Sequence, residues 1–220
     1  GGIDTIVTGI GNDLILGGDL GDTIIANEGE TASVSDGINL ILGDFGFADW
    51  NADGDISTLD RVVSTDTAFG GDDEIVTGRA SDIVIGGFGM DTILASDGVN
   101  LVIGDSGELL DGASAVNVPA FALALQTART IDAQYGDVDY LETGVDSDIV
   151  LGGSKGDVIF AGTGDNLILG DNGELIVETT AQTNFGTLPY TMVSAATSDV
   201  GLGGIDTIVT GIGNDLILGG

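Results

Sequence analysis

Aspartate recurs at nine-residue intervals along this chain, each time after a glycine-containing turn and before a short apolar run. Asp13 leads into the triplet 14–16 (LIL), and Asp22 follows nine residues later. Carboxylates that repeat along one side of a stack of such turns repel one another unless a cation lies between them. Oxygen donors without nitrogen or sulfur suit hard cations, and irregular loops suit Ca²⁺ better than Mg²⁺. The spacing therefore predicts a series of calcium sites.

The elements that position these carboxylates are very short strands. A strand of about three residues is too short for an ordinary sheet, so it must stack on copies of itself. Two nonapeptides make one 18-residue coil, in which alternate rungs lie about 4.8 Å apart and the middle side chain, such as Ile15 or Ile93, faces the core. Glycine in the turns lets carbonyl groups point inward beside the carboxylates. The predicted metal ligands are Asp4, Asp13, Asp22, Asp44, Asp73, Asp82, Asp91, Asp105, Asp139, Asp148, Asp157, Asp171, Asp206 and Asp215, with Asn39, Asn100 and Asn166 as weaker ligands.

The nonapeptides 8–16 (TGIGNDLIL) and 86–94 (GGFGMDTIL) carry a family resemblance. They resemble the RTX family, whose GGxGxDxUx repeats bind Ca²⁺ in the turns of a parallel β-roll. The resemblance covers somewhat over half of the chain. It implies an all-β fold, a right-handed parallel β-roll or solenoid, folding driven by calcium, and secretion to a calcium-rich exterior. Ala80 and Asp146 depart from the pattern, because each stands where Gly11 stands in its own turn.

Two levels of repetition organise the chain. Residues 1–18 return unchanged at 203–220, which gives a period of 202 residues. Within one period the pattern repeats about threefold, so we predict modules at 1–69, 70–136 and 137–202, with 203–220 beginning the next unit. We expect a parent polypeptide built of near-identical 202-residue units.

Each module ends in an insert, at roughly 45–69, 106–136 and 172–202. Turn signals such as Asp53-Gly54 between β-rich flanks predict protruding hairpins or extra coils. The stretch 120–126 could instead form a short helix, but its similarity in position to the other inserts argues against that alternative.

Residues 49–60 (DWNADGDISTLD) fit an EF-hand or dockerin loop, with aspartate at the last position. An extra calcium site is one interpretation of this pattern. The favoured interpretation is a hairpin that turns at Asp53-Gly54, since the flanking helices of an EF-hand are not evident and the other inserts lack the pattern.

Composition excludes several classes of function. The formal net charge of −32 disfavours nucleic acid and anionic membranes as partners. The chain has no cysteine and no histidine, so thiolate chemistry, the serine-protease triad and HExxH zinc chemistry are absent. No uninterrupted apolar stretch is long enough to span a bilayer. We therefore expect neither an enzyme nor a membrane-inserted protein.

Alternate rungs differ on their outer face. Rungs such as 14–16 (LIL) and 83–85 (IVI) are apolar on both faces, which is typical of strands buried on both sides. Odd and even rungs should form opposite sheets, so one outer sheet is apolar along its whole length. Either the inserts fold back over it, which we favour slightly, or it contacts a neighbouring filament.

These observations predict a structural role. Coils that contact only their neighbours can be added with little change in local energetics. We expect a calcium-stabilised repeat of a long extracellular filament, adhesin or matrix or surface-layer fibre, with calcium and further copies of itself as partners. The alternatives are a calcium-folding secretion module of an exported toxin or enzyme, and a ligand-binding adhesin segment that uses insert residues such as 45–50 or 185–190.

Overall fold

The computed structural model describes residues 1–32, 34, 36–55, 57–118, 123–178 and 191–220, with the backbone alone at 113–118 and 123–124. These residues form strands and one 3₁₀ turn, Ala133–Tyr135. In chain order the strands are β1 Thr5–Gly9, β2 Leu14–Leu16, β3 Thr23–Glu28, β4 Leu40–Leu42, β5 Gly46–Asp49, β6 Arg61–Ser64, β7 Glu74–Val76, β8 Ile83–Gly87, β9 Thr92–Ala95, β10 Leu101–Asp105, β11 Gly107–Val118, β12 Leu123–Thr130, β13 Tyr140–Val145, β14 Ile149–Gly153, β15 Val158–Thr163, β16 Leu167–Asp171, β17 Gly173–Glu178, β18 Thr191–Thr197, β19 Thr207–Val209 and β20 Leu216–Leu218.

Two seven-stranded parallel sheets make up the roll. The odd sheet has the order β1-β3-β7-β9-β13-β15-β19, and the even sheet has the order β2-β4-β8-β10-β14-β16-β20. The pairing stays in register across the inserts, as the partners Ile41↔Val84 and Val102↔Val150 show. The predicted parallel β-roll, with odd and even rungs in opposite sheets, is thus confirmed.

The space between these two sheets is filled by the middle residue of each rung. Ile15 is 6% exposed, and Ile93 is fully buried. Burying one such side chain stabilises the fold by about 1.5–3 kcal/mol. This inner core comprises Ile15, Ile24, Ala26, Ile41, Ile75, Val84, Ile93, Ala95, Val102, Leu141, Val150, Ile159, Ala161 and Ile168.

The three inserts form hairpins that join into a third, antiparallel sheet. Its order is β5-β6-β11-β12-β17-β18, so the second strand of each hairpin pairs with the first strand of the next hairpin. The hairpin prediction is confirmed for all three inserts. The helical alternative for 120–126 is wrong for residues 123–126, which belong to β12, and its remaining residues lie outside the described part of the chain.

This hairpin sheet covers the outer face of the even sheet. Strand β12 lies over β10 and β14, and β18 lies over β16. The leucine, isoleucine and valine side chains between them form an outer core, in which Leu42, Ile85 and Leu109 are almost fully buried. The structure therefore favours coverage by the inserts, and it leaves little apolar surface there for a neighbouring filament. Only near the start of the sheet do leucines stay exposed, namely Leu14 at 36% and Leu16 at 39%.

The hairpin sheet stays aligned with the roll because one hairpin is as wide as two coils. Between the first and second inserts the chain adds two strands to each parallel sheet, and each hairpin adds two strands to its own sheet. Strands in any sheet lie about 4.8 Å apart. Two coils and one hairpin therefore advance by the same distance, and three sheets can run side by side without losing register.

A string of ion pairs crosses the hairpin sheet. The Glu108 carboxylate, whose side chain is 4% exposed, accepts hydrogen bonds from Arg61 Nε at 2.7 Å and Arg129 Nε at 2.8 Å. Arg129 also lies 3.8 Å from Glu174 on the third hairpin. These residues belong to β6, β11, β12 and β17, so the ion pairs join neighbouring hairpins to one another.

Candidate metal centre

The turns that lead from the even to the odd sheet carry a continuous ladder of aspartates. We call this ladder the aspartate column; it consists of Asp4, Asp22, Asp73, Asp91, Asp139, Asp157 and Asp206. In each step one carboxylate oxygen, Oδ1, accepts the backbone N–H of the aspartate one coil earlier. The nitrogen–oxygen distances run from 2.6 Å for Asp22 to Asp73 to 3.0 Å for Asp157 to Asp206. The predicted stacking of carboxylates is present in the structure.

The second oxygen of these carboxylates has no hydrogen-bond partner. The Oδ2 atoms of Asp22, Asp73, Asp91, Asp139 and Asp157 are buried and unbonded among the described residues. A buried carboxylate oxygen without a partner costs about 1–3 kcal/mol or more. Buried, unpartnered carboxylate oxygens of this kind fit a positively charged ligand.

Each unbonded oxygen faces a space that only glycine leaves open. A methyl group built on Gly86 would collide with Gly104 O and Asp91 Oδ2, and one built on Gly104 would collide with Gly152 O and Asp139 Oδ2. The same collisions occur at Gly17, Gly43 and Gly152. Carboxylate and carbonyl oxygens thus converge beside these glycines, which is the donor set that calcium prefers.

Asp44, Asp105 and Asp171 lie beside the column, each directly before an insert. Their oxygens accept backbone N–H groups from the chain that returns after the insert: Gly71 to Asp44 at 3.1 Å, and Gly204 to Asp171 at 2.8 Å. Asp105 accepts the N–H groups of Asp137 and Ser154. These three aspartates therefore fasten the ends of the inserts to the roll, next to the column.

The electrostatics of the column are unfavourable for negative charge. Burial, followed by repulsion from neighbouring aspartates, raises the pKa of Asp157 to about 8 and that of Asp73 to about 7. Burial likewise raises the pKa of Asp44 to about 8 and that of Asp105 to about 7. Burial also raises the pKa of Asp91 and that of Asp139, and the charges of neighbouring aspartates add to it: Asp73 acts on Asp91, and Asp91 acts on Asp139. A bound divalent cation would offset this repulsion, so the column fits calcium in charge as well as in donor type.

The opposite side of the roll carries a second ladder in which aspartate and asparagine alternate. This alternating column consists of Asp13, Asn39, Asp82, Asn100, Asp148, Asn166 and Asp215. Each side-chain Oδ1 again accepts the backbone N–H of the preceding member, from 2.7 Å for Asn39 to Asp82 to 3.1 Å for Asp13 to Asn39. The backbone arrangement is therefore the same on both sides.

The asparagines of this column donate hydrogen bonds to the carbonyls of their own turns. Asn100 Nδ2 lies 2.8 Å from Ala95 O, 3.1 Å from Ser96 O and 3.1 Å from Gly98 O. Asn166 Nδ2 lies 2.7 Å from Ala161 O. These carbonyls already accept hydrogen bonds from the Nδ2 groups. We predicted these asparagines as weaker ligands, but their Oδ1 and Nδ2 atoms both have protein partners.

The aspartates of the alternating column have a different neighbour, which the sequence reasoning missed. Three turns that end in aspartate begin with a threonine whose hydroxyl oxygen is buried. Burial raises the pKa of Asp82 and Asp148 to about 7, and the hydroxyls of Thr77 and Thr143 partly lower it, so each hydroxyl faces its aspartate. Each turn that ends in asparagine begins with a buried alanine instead. The pairs are Thr8 with Asp13, Thr77 with Asp82 and Thr143 with Asp148, against Ala26 with Asn39, Ala95 with Asn100 and Ala161 with Asn166. The signal was present in the sequence as a correlation between the two ends of each turn.

Three acidic side chains meet at the tip of the first hairpin. Carboxylate oxygens of Asp53, Asp60 and Asp111 lie within 4.8 Å of one another, and burial and the two neighbouring charges raise the pKa of Asp111. Asp60 is buried and accepts the N–H of Ala52 at 2.6 Å. The favoured hairpin interpretation of 49–60 is confirmed, since β5 and β6 pair on either side of this loop.

A family model for the RTX calcium-binding nonapeptide repeat matches the chain in four segments, 1–31, 67–102, 139–174 and 200–220, which together make up more than half of its length. The chain belongs to the RTX calcium-binding repeat family. RTX nonapeptide repeats bind calcium ions, and the family is in general one of calcium-binding structural repeats. Neither the search of curated proteins nor that of solved structures gave a match. The described residues contain no helix with the length and hydropathy of a membrane span.

Proposed function

We propose that this RTX chain is a calcium-stabilised structural repeat of a long extracellular filament, adhesin or matrix or surface-layer fibre. The observation that carries the proposal is the place of residues 203–220, the second copy of residues 1–18. Strand β19 pairs with β15 (Ile159↔Ile208), and β20 pairs with β16 (Ile168↔Ile217), in the same parallel register as the internal rungs. The start of a second unit thus continues the roll of the first.

Repeat units of this kind add length without adding new kinds of contact. In a solenoid each coil contacts only its neighbours, so an array of units grows as one rod. The modules 1–69, 70–136 and 137–202 are the building blocks that we propose, and six coils per unit at about 4.8 Å each give a rise of about 29 Å.

The aspartate column supplies the calcium ligands in this proposal. The unbonded Oδ2 atoms of residues such as Asp91 and Asp139, with the glycine carbonyls beside them, would hold the ions. Bound calcium would supply the positive charge that these carboxylates lack. Sites of extracellular proteins commonly bind calcium in the 10⁻⁴–10⁻³ M range. An extracellular location, where calcium is plentiful, agrees with this mode of stabilisation.

The first experiment tests whether calcium stabilises the chain. Thermal unfolding followed by circular dichroism should shift upward by about 10 °C or more between excess EDTA and millimolar calcium, because a ligand of the folded state adds stability by mass action. Magnesium at the same concentration is the control and should give a much smaller shift. Identical spectra and melting in EDTA and in calcium would contradict the proposal.

The second experiment tests the filament. Chains of one, two and three consecutive units are compared by electron microscopy in calcium and in EDTA. In calcium the rod should lengthen by about 29 Å for each unit, and in EDTA the rods should lose their uniform shape. Units that appear as separate beads on a flexible string in calcium would contradict the role as a shaft.

A further inference from the structure

Among the described residues, the hairpin sheet ends in two open edges that match each other. Strand β18 is one outer strand of this sheet and β5 is the other. From this match and the repeat we propose that the first hairpin of a following 202-residue unit adds its β5 to β18, so that the hairpin sheet also runs unbroken from unit to unit. This inference rests on the proposed function, in which units follow one another.

The backbone groups of β18 point toward the open edge at the required residues. Ser198 donates its N–H to Asn172 O at 2.7 Å, and pairs in an antiparallel ladder alternate between hydrogen-bonded and non-hydrogen-bonded. Ala195, which faces Leu175, is therefore in a non-hydrogen-bonded pair. Its N–H and C=O point away from β17 and toward a further strand.

The backbone groups of β5 have the same arrangement on the opposite edge. Thr65 donates its N–H to Phe45 O at 2.9 Å, so Ala48, which faces Val62, is in a non-hydrogen-bonded pair. Its N–H and C=O point away from β6. Two open edges with the same phase can thus pair with each other.

The two junctions inside the chain fix the register of the new one. Leu109 pairs with Val62 where the first and second hairpins meet, and Ala128 pairs with Leu175 where the second and third meet. The first-strand residue in each pair lies two positions after a glycine, Gly107 or Gly173, and Gly46 precedes Ala48 at the same distance. The corresponding contact places Ala195 opposite Ala48 of the following unit, and Ala196 opposite its Phe47.

Side-chain burial agrees with this register. Ala48 and Ala195 pack against the outer core but are only partly buried, whereas Ala128 and Leu175 at an internal junction are at most 1% exposed. On the outer face the internal junction pairs Arg129 with Glu174. The new junction would instead cover part of Phe47, which is 48% exposed, with Ala196.

The contact also completes the cover over the even sheet. Leu216 and Leu218 in β20 are partly buried against the outer core beside β18. Leu14 and Leu16, their counterparts at the start of the chain, are 36% and 39% exposed beside β5. In an array Leu216 and Leu218 are Leu14 and Leu16 of the following unit. These leucines would then have β18 on one side and β5 of the following unit on the other.

A disulfide tests the register directly. In a chain of residues 1–202 joined to residues 1–220, Ala196→Cys in the first unit and Phe47→Cys in the second are the only two thiols. Residues in a non-hydrogen-bonded pair have Cα atoms about 4.5 Å apart, within the range that a disulfide spans. Mild oxidation in calcium should close this bond almost completely, as seen by faster migration on a non-reducing gel. The matched control, Ser194→Cys with the same Phe47→Cys, moves one thiol two residues along the same face to a diagonal separation of about 7–8 Å and should close poorly.

Hydrogen exchange provides a second readout without cysteines. In the two-unit chain, one copy of β18 is internal and the other remains an edge, so its peptides should divide into a slow and a fast population that differ at least about tenfold in exchange. The single-unit chain should show the fast population only. Equal closure of both cysteine pairs, or a single fast population in the two-unit chain, would overturn the inference. If that chain still formed calcium-dependent rods, the proposed function would stand without it.

Discussion

Along the aspartate column every turn ends in a carboxylate, whereas along the alternating column carboxylates and carboxamides take turns. The backbone ladder is the same on both sides, because Oδ1 of either residue accepts the same N–H. The difference lies at the other end of the side chain. Asn100 Nδ2 donates to three turn carbonyls, while Asp91 Oδ2 has no partner among the described residues. The Nδ2 group of asparagine thus supplies the positive partner for the turn carbonyls, whereas an aspartate turn needs a cation from solution.

Replacing an asparagine of the alternating column by aspartate should remove this distinction, and we expect it to cause the largest change in stability. Asn100→Asp would place a carboxylate oxygen against the carbonyls of Ala95, Ser96 and Gly98. In EDTA we expect a loss of about 3–5 kcal/mol in the free energy of unfolding, because the buried charge has no partner. Urea unfolding measures this loss.

The stability of Asn100→Asp in calcium shows whether an aspartate of the alternating column can bind the ion as the aspartate column does. If the new carboxylate binds calcium, the ion should restore much of the stability of Asn100→Asp. The control Asn51→Asp adds the same charge at an exposed position and should unfold in EDTA like the parent chain. Equal stability of Asn100→Asp and this control in EDTA would show that the asparagine amides are not needed in their turns.

The reverse change in the aspartate column should act mainly in calcium. Asp91→Asn keeps an acceptor for the N–H of Asp73 but removes the charge that a cation needs. At a calcium concentration a hundred times the dissociation constant of the site, we expect the free energy of unfolding to fall by about 2.7 kcal/mol. In EDTA we expect no loss, because removing one carboxylate reduces the repulsion among the remaining aspartates. Isothermal titration calorimetry and thermal melts measure both effects. Asp66→Asn, at an exposed left-handed position that asparagine tolerates, is the control.

The pH dependence of stability should change sign with calcium. The pKa values of Asp44 and Asp157 are raised to about 8 and those of Asp73 and Asp105 to about 7, so the folded calcium-free chain binds protons more tightly than the unfolded chain. Its stability should therefore fall as the pH rises from about 4 to about 8. In calcium the ion replaces the protons, and stability should hold or rise over the same range. Melting temperatures in EDTA that increase with pH would contradict this expectation.

The smallest effect should come from the threonines of the alternating column. Thr77→Val keeps the shape of the side chain but removes the buried hydroxyl that faces Asp82 in the same turn. If this hydroxyl helps to hold a cation, calcium affinity should fall by about 1 kcal/mol while stability in EDTA stays the same or rises slightly. Thr92→Val, on the outer face of the odd sheet, is the matched control. A stability loss in EDTA would assign Thr77 a purely structural role.

Much of the fold follows from the sequence because its determinants are local and periodic. A nine-residue spacing fixes both the turn and the buried side chain, as Asp13 and Ile15 illustrate, so the roll and its inner core were predictable. The presence of hairpins was also predictable from turn residues such as Asp53-Gly54. The union of the hairpins into one sheet was not, because pairs such as Ala128↔Leu175 depend on long-range contacts without a local signal.

The chemistry of the candidate site was predictable in outline only. The aspartates of both ladders lie where the spacing places them, and the calcium prediction is confirmed by family membership. Asn100 was interpreted through its carboxamide oxygen alone, whereas its Nδ2 group determines its contacts. The link between Thr77 and Asp82 spans one turn and becomes visible only when the two ends of that turn are compared.

The equal width of two coils and one hairpin limits how such a chain can change in length. Loss of a single 18-residue coil would leave the hairpin sheet one strand ahead of the roll beneath it, and every later hairpin would inherit the offset. Insertions and deletions should therefore survive only when they remove or add two coils together with their hairpin. The hairpin sheet therefore limits which changes in length the repeat tolerates. The rod can become longer or shorter only in whole steps of about 9.6 Å, the width of two coils.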